Sequence, residues 1–301
     1  MYEIELVGID GANLLGYLAA LGTLRTLTLA DPGAEVRMRW ADGVRWTPVV
    51  CHSRIATQDE LIGALAQRVC GRSSINPAWE IGNDLTIAMA DFRAHLEKAC
   101  ASGPAERGAA DFLAAFGSDA LGSRSKKGQI SDTEFRTMSG AGHQHFLGFM
   151  RELAAGTVAE HLRRALLAPW DYADGRPSLR WDAADYRPHA LRAEDPSGDP
   201  IRTMRGANRL AVEALPLFPT VPERSGLSTV AFEDTDAGPE VTWPIWSEPL
   251  SLSVVASLLA CEDVQKADRS SVARRGMAQV FRAKRFTDGQ YRNFSPARAL
   301  L

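Results

Sequence analysis

Arg202, Arg205 and Arg209 surround a Gly206–Ala207–Asn208 turn, after which the chain enters the apolar, proline-stopped segment Leu215–Pro219. Spacings of three and four residues place side chains on one face of a helix. A guanidinium is a planar fork of donors, which suits a phosphate or a carboxylate better than a point charge does. As a loop leading into a helix, the element would offer Arg202, Arg205, Asn208, Arg209 and backbone N–H groups to an anion. An internal alternative stands beside it. Glu194, Asp195, Asp199 and Glu213 lie near enough in sequence to pair with the same arginines.

A second basic element closes the chain. From Arg269 to Leu301 there are eight basic residues against one acid, Asp288, on a protein whose formal net charge is −3. The basic residues are Arg269, Arg274, Arg275, Arg282, Lys284, Arg285, Arg292 and Arg298, and Phe281, Phe286, Tyr291 and Phe294 interleave with them. On a hairpin, Arg282 and Lys284 share a face beside an aromatic edge, the arrangement by which single-strand binders track phosphates and stack bases. The opposing interpretation makes the aromatics core and the arginines a solvated outer face.

A third constellation, Met138–His145 (MSGAGHQH), has two histidines at i and i+2 that could ligate a metal with Asp132 or Glu134. It lacks an H-E-x-x-H or a second ligand pair, so His143 and His145 are expected to cap and pack rather than bind metal. No P-loop, no G-x-S-x-G elbow and no dinucleotide-binding glycine motif is present. The sequence therefore assigns no catalytic residue, no metal and no cofactor.

Positioning these groups requires an α+β fold. Tyr2–Val7 alternates as a half-buried strand, and Asn13 can cap a helix over Leu14–Leu29 with five leucines on one face. Gly16 and Gly22 weaken that helix, which implies close packing against another backbone. Val36–Trp40 and Val44–Val50 form a hairpin, with Asp42-Gly43 suited to a two-residue turn. Helical periods follow at Asp59–Cys70, Asp84–Ala101, Glu106–Phe116, His143–Leu153 and Val158–Leu167, with Ser118–Asp132 as an exposed loop. From Asp171 the composition shifts towards Pro, Arg, Trp and Asp. Short strands are expected at Leu179–Trp181, Val230–Phe232 and Val241–Trp243, a helix at Ser251–Cys261, and a basic hairpin at Met277–Phe294 turning at Thr287–Gln290. The organisation is thus a helix-rich α+β region over 1–170 and a Pro/Arg-rich α+β region over 171–301, two parts or two layers of one continuous domain.

At 301 residues, 45% hydrophobic and 24% charged, the composition is that of a soluble globular protein. The mild acidity excludes a global pull towards nucleic acid and leaves only local patches. Cys51, Cys70, Cys100 and Cys261 are too widely spaced for a zinc or redox motif and are expected to be reduced, mostly buried thiols. The acidic N-terminus is wrong for a signal peptide, and no apolar run would span a bilayer, so a cytoplasmic location without membrane contact is expected.

Several segments together resemble a known family. They are Gly11–Gly22 (GANLLGYLAALG), Met138–His143 (MSGAGH), Pro196–Arg209 (PSGDPIRTMRGANR) with Leu215–Pro219 (LPLFP), and Arg292–Phe294 (RNF). The chain resembles CRISPR-associated proteins of type I-G (formerly I-U) loci. It is most similar to the group described as an extension of the helicase–nuclease, found fused to it or as a separate protein. Leu14 stands where the related N-P-L-G start of this subtype has its proline. The resemblance implies a setting, RNA-guided antiviral interference, rather than a reaction. The expected partners are nucleic acid (DNA or guide RNA) and effector-complex or helicase–nuclease subunits. The expected contacts are Arg202, Arg205, Asn208, Arg209, Arg274, Arg275, Arg282, Lys284, Arg285 and Arg292. Two other functions remain open: a metal-dependent nuclease or phosphodiesterase around His143 and His145, and a structural adaptor for an acidic protein partner.

Overall fold

The computed structural model describes residues 1–103, 107–120, 128–138, 144–186, 202–223, 226–236, 238–288 and 291–301. Its centre is a helix. Strand β1 (Tyr2–Glu5) leads through a turn to α1 (Leu14–Ala30), whose N-cap is Asn13, the side chain accepting from the Gly16 N–H at 3.1 Å. Every residue of α1 from Leu14 to Leu27 is buried, so a helix that is apolar nearly all round became a core helix.

Strands β2 (Val36–Ala41) and β3 (Thr47–His52) pair antiparallel, with Ala41 opposite Thr47. The connection is therefore five residues long, not a two-residue Asp-Gly turn. The Gly11 N–H donates to Trp46 O at 2.8 Å and the Leu6 N–H to Pro48 O at 2.9 Å, so the 6–11 segment takes backbone acceptors from this end of the hairpin. Helix α2 (Gln58–Val69) begins with a Thr57/Glu60 capping box. Helix α3 (Met89–Ala101) starts later than its apolar period implies, because the Ile130 N–H donates to Ile87 O and Ala88 bridges Gln129. Helix α4 (Gly108–Phe116) runs into the short pair β4 (Gly117–Ser118) and β5 (Ser131–Asp132), and α5 (Phe146–Gly156) and α6 (Ala159–Leu167) follow.

Residues Leu179–Trp181, expected as a strand, are irregular. Helix α7 (Arg205–Ala214) lies against α1, and strands β6 (Thr220–Pro222), β7 (Leu227–Thr229), β8 (Phe232–Thr235) and β9 (Gly238–Trp246) come next. After β10 (Leu250–Ser251) come helices α8 (Leu252–Leu259), α9 (Glu262–Gln265) and α10 (Arg269–Arg274). The basic hairpin is β11 (Met277–Asp288) with β12 (Tyr291–Phe294), and β13 (Arg298–Ala299) pairs with β11.

The strands form two main antiparallel sheets, ordered β1-β3-β2-β10 and β12-β11-β9-β8. The architecture is α+β. The chain leaves the second sheet at β9 and adds β10 to the first, pairing Leu250 with Met38. Trp243 and Trp246 carry the core across that step: their indole N–H groups donate to Gly11 O at 2.9 Å and Met38 O at 2.7 Å. Tyr17 stacks on Trp40 between them, with ring centroids 5.6 Å apart. One buried cluster includes residues on both sides of Asp171.

Two glycines set the spacing of the helical layer. A Cβ on Gly22 would lie 1.8 Å from Leu210 O on α7, and one on Gly206 would lie 2.1 Å from His161 O on α6. The close approach implied by a glycine inside α1 is this contact. The four cysteines are free thiols, but only Cys51 is buried and Cys100 is exposed, so the expectation of mostly buried thiols fails. Cys100 sits near the end of an amphipathic helix whose buried face is carried by Phe92 and Ala99. Among the described residues no helix is long and apolar enough to cross a membrane.

Candidate nucleic-acid interface

Of the first arginine element, only Arg202 is exposed without a partner among the described residues. Residues Arg205–Arg209 are not a turn but the opening of α7. The Arg205 backbone N–H donates to Asp174 Oδ2 at 2.9 Å, and its Nη2 to Arg176 O at 2.6 Å. Asn208 is fully buried, its Oδ1 accepting from the Leu179 N–H at 2.9 Å and its Nδ2 donating to Thr203 Oγ1 at 3.0 Å. Arg209 is fully buried too: Nε donates to Val69 O at 2.8 Å, Nη1 lies 2.9 Å from Glu213 Oε1, and the guanidinium packs on the Trp79 ring. Neither Asn208 nor Arg209 can meet an external polyanion. The physical reason is the Gly206 contact, which draws this face of α7 into the core. Glu213, the i+4 acid, is the internal partner.

The C-terminal element divides in the same way. Arg282 lies opposite Thr242 in the sheet, donates through Nε to Thr242 Oγ1 at 2.8 Å and through Nη2 to Gln265 O, and faces Glu240 Oε2 at 3.6 Å. The last residue of α9 thus lies against it. Arg285, on the opposite face, contacts the Glu134 carboxylate and donates to Glu134 O. Burial pushes the Glu134 carboxyl up and the Arg285 guanidinium down, each against the attraction of the other. Desolvation is the largest influence on both, as expected where two charges leave water together.

Arg275 pairs with Asp263 at 2.6 Å and Arg298 with Glu240 at 3.2 Å. Arg292 is half-buried and donates to Arg136 O at 3.1 Å. The continuous basic surface expected here is therefore broken: Arg282 and Arg285 are architecture. Arg269 and Arg274 on α10 are exposed, and half-buried Lys284 joins them in having no acid within ion-pair distance among the described residues. Arg274 makes a hydrogen bond to Ser271 Oγ at 3.2 Å.

The segment between Ser178 and Asp185 is irregular up to a single 3-10 turn at Ala183–Asp185, and side chains from distant segments fix it. Besides Asn208, Thr137 Oγ1 donates to Leu179 O at 2.7 Å, and Trp181 Nε1 donates to Phe135 O at 3.0 Å. Asn13 Nδ2 donates to Asp182 Oδ1 at 2.9 Å, and the Tyr172 hydroxyl to Asp182 Oδ2 at 3.0 Å. Arg180 reaches Asn293 Oδ1 at 3.3 Å and Gln144 Oε1 at 3.4 Å and lies over the Tyr291 ring, 4.0 Å from its centroid. The resembling segments Gly11–Gly22, Met138–His143, Pro196–Arg209 and Arg292–Phe294 thus each reach 178–185 through one of their own residues or one beside it, whereas Leu215–Pro219 does not. Sequence reasoning missed Arg180 and Gln144 altogether. Asn293 was visible only as part of a motif.

Of the histidine constellation, His143 lies outside the described residues. His145 Nδ1 is 4.0 Å from Asp84 Oδ2, and neither atom has a hydrogen-bond partner. Asp132 and Asp84 both bind Arg136, Asp84 at 2.9 Å. Among the described residues no group of three or more His, Cys, Asp or Glu side chains could hold a metal ion.

Burial pushes the Asp84 carboxyl up, against the pull of Arg136. The native state then binds a proton more readily than the unfolded chain in the window just above the ordinary carboxylate range. Stability contributed by this group is gained as pH falls through that window and lost as pH rises through it. Relative to Asp84→Asn, which does not titrate, the wild type should lose stability as pH rises there. Urea unfolding of both proteins across pH checks the sign, and a constant difference contradicts it.

No known protein family matches this chain, and no curated protein is significantly similar to it.

Proposed function

We propose that this chain is a non-catalytic component of a CRISPR antiviral interference system of the type I-G kind, binding nucleic acid, an effector or helicase–nuclease subunit, or both. The observation that carries the reading is the convergence on Ser178–Asp185 of Asn13, Asn208 and Asn293 with the residues flanking Met138–His143. Residues far apart in the chain that resemble one family meet at one place, as parts of a common interaction site would, with fully buried Asn208 bracing it from the core. Within the two basic elements, Arg202, Arg269, Arg274 and Lys284 are cations that the described acids leave unneutralised and that a polyanion can meet.

If these groups contact phosphates, affinity for a short single-stranded oligonucleotide falls steeply with salt. Arg269→Ala/Arg274→Ala should flatten the log–log slope by about 1.5 to 2. Arg275→Ala/Arg298→Ala should change it less, because those cations already face Asp263 and Glu240. Absence of oligonucleotide binding at about 50 mM salt, together with failure of the tagged protein to capture interference subunits from its host, would overturn the reading. Capture of an acidic protein alone would point to the adaptor.

A further inference from the structure

Arg180 differs from the other enclosed arginines among the described residues; half-buried Arg205 and Arg292 also lack a carboxylate, but each is held by a backbone carbonyl, Arg176 O at 2.6 Å and Arg136 O at 3.1 Å. Arg25, Arg136, Arg209, Arg282 and Arg285 each have a carboxylate within ion-pair distance. Arg151 lacks one but is held by Trp79 O, Gly82 O and Asn83 Oδ1, all within 2.9 Å. Arg180 has neither. Its two hydrogen bonds, to the amide oxygens of Asn293 and Gln144, are long at 3.3 and 3.4 Å, and its Nε is buried with no acceptor. Asp185 acts on it only through space, its Oδ2 accepting from Ser178 Oγ at 2.5 Å. An enclosed charge with no carboxylate in contact is costly in a folded protein.

The backbone adds a second, independent observation. Arg180 has φ +56°, in the left-handed region that a long side chain rarely adopts. Strain of this kind persists where the surrounding structure enforces it, and it gathers at ligand clamps. Asn208, Thr137 and Trp181 hold the residues on either side, so the fold imposes this conformation to aim one side chain. That side chain is delivered to the Tyr291 face, between two side-chain amides. Asn293 accepts from Arg180 through Oδ1, so its amide group, a neutral donor through Nδ2, stands beside the cation. Tyr291 and Gln144 are themselves joined by a 3.2 Å hydrogen bond, so the cradle is braced.

We propose that Arg180, Asn293, Gln144 and Tyr291 form an oxyanion site that takes a phosphate group. The guanidinium supplies charge and a fork of donors, the Asn293 amide a further donor, and Tyr291 the wall that fixes the guanidinium plane. The site's existence follows from this chemistry. Its natural source of phosphate, a nucleic-acid backbone rather than the free ion, rests on the function proposed above.

The test has two arms and two variants. Inorganic phosphate, titrated against chloride at constant ionic strength, should raise the thermal midpoint of the wild type saturably by about 2–4 °C. Arg180→Gln should abolish the response. Asn293→Asp should abolish it as well while keeping the protein folded, because an internal carboxylate then neutralises Arg180 where the amide oxygen now stands. In the second arm, affinity for a short single-stranded oligonucleotide should fall about tenfold in Asn293→Asp. An oligonucleotide response lost in both variants without a free-phosphate response assigns the site to the diester. Equal responses of wild type and Asn293→Asp to both probes would overturn the site, and oligonucleotide binding that depends on Arg269 and Arg274 would then leave the functional reading standing. A phosphate response lost in both variants, with no oligonucleotide binding and no subunit capture, keeps the site and removes that reading.

Discussion

Alanine at position 22 is expected to destabilise the protein by about 3 kcal/mol or more, the upper end of what overpacking costs. The added Cβ would fall 1.8 Å from Leu210 O and 2.7 Å from Leu210 C. Both atoms are helix backbone, which cannot rotate away as the tip of a side chain can. Relief would require α7 to move off α1, yet α7 is fixed on its other side by the Gly206 contact with His161 O at 2.1 Å. The displacement would also disturb Asn208 and Arg209, both fully buried on that helix. An internal control is Gly63 on α2, where a Cβ meets nothing within 4 Å. Gly63→Ala should stabilise by about 0.5–1 kcal/mol through helix propensity alone. Urea unfolding of the two variants should therefore shift in opposite directions. A Gly22→Ala protein within about 1 kcal/mol of wild type would show that the α1–α7 approach is not held as tightly as the structure has it.

That contact was half-legible in the sequence. A glycine inside a leucine-rich helix implies a neighbouring backbone, but nothing in the local pattern names α7 as the neighbour. The N-cap at Asn13 and the hairpin at Met277–Phe294 could be read because each is a local arrangement of a few residues. The start of α3 could not, since the pairing of Ile87 and Ala88 with residues 129 and 130 competes with the helix over a long separation.

The arginines divide along the same line. Glu213 stands one helical turn from Arg209 and was visible as its partner, whereas Glu134 is 151 residues from Arg285 and was not. A run of basic residues shows only that the local acids are missing; the fold brings distant ones to Arg282, Arg285 and Arg298. Arg180 left no mark at all, because neither a left-handed backbone nor the lack of a carboxylate in contact has a signature in residue type. Of its surroundings, Asn208 and Tyr291 were legible as parts of the two basic elements, and Asn293 only as resemblance.

Removing Glu213 should cost about 3–5 kcal/mol, the penalty for breaking a buried ion pair. One carboxylate serves two enclosed guanidinium groups. Its Oε2 is 3.1 Å from Arg25 Nη1 and its Oε1 is 2.9 Å from Arg209 Nη1, with the side chains of Arg25 and Arg209 exposed by 6% and 0%. Without Glu213, Arg25 retains Asp111 at 3.7 Å, but Arg209 is left with the Val69 carbonyl and the face of Trp79. Burial already pushes the Arg25 guanidinium down, and Glu213 is the first of the charges opposing that shift. Glu213→Gln separates charge from shape. It keeps the volume and an acceptor, so a loss close to that of Glu213→Ala would assign the effect to the missing charge. The double variant Arg209→Met/Glu213→Leu provides the counter-test, since replacing a buried pair by apolar groups of similar volume is often neutral or stabilising. A double variant near wild-type stability beside a badly destabilised Glu213→Gln would show that the charges cancel each other and contribute little net stability. If Glu213→Gln instead unfolds within about 1 kcal/mol of wild type, water reaches Arg209, and the helix face assigned here to the core is open to solvent.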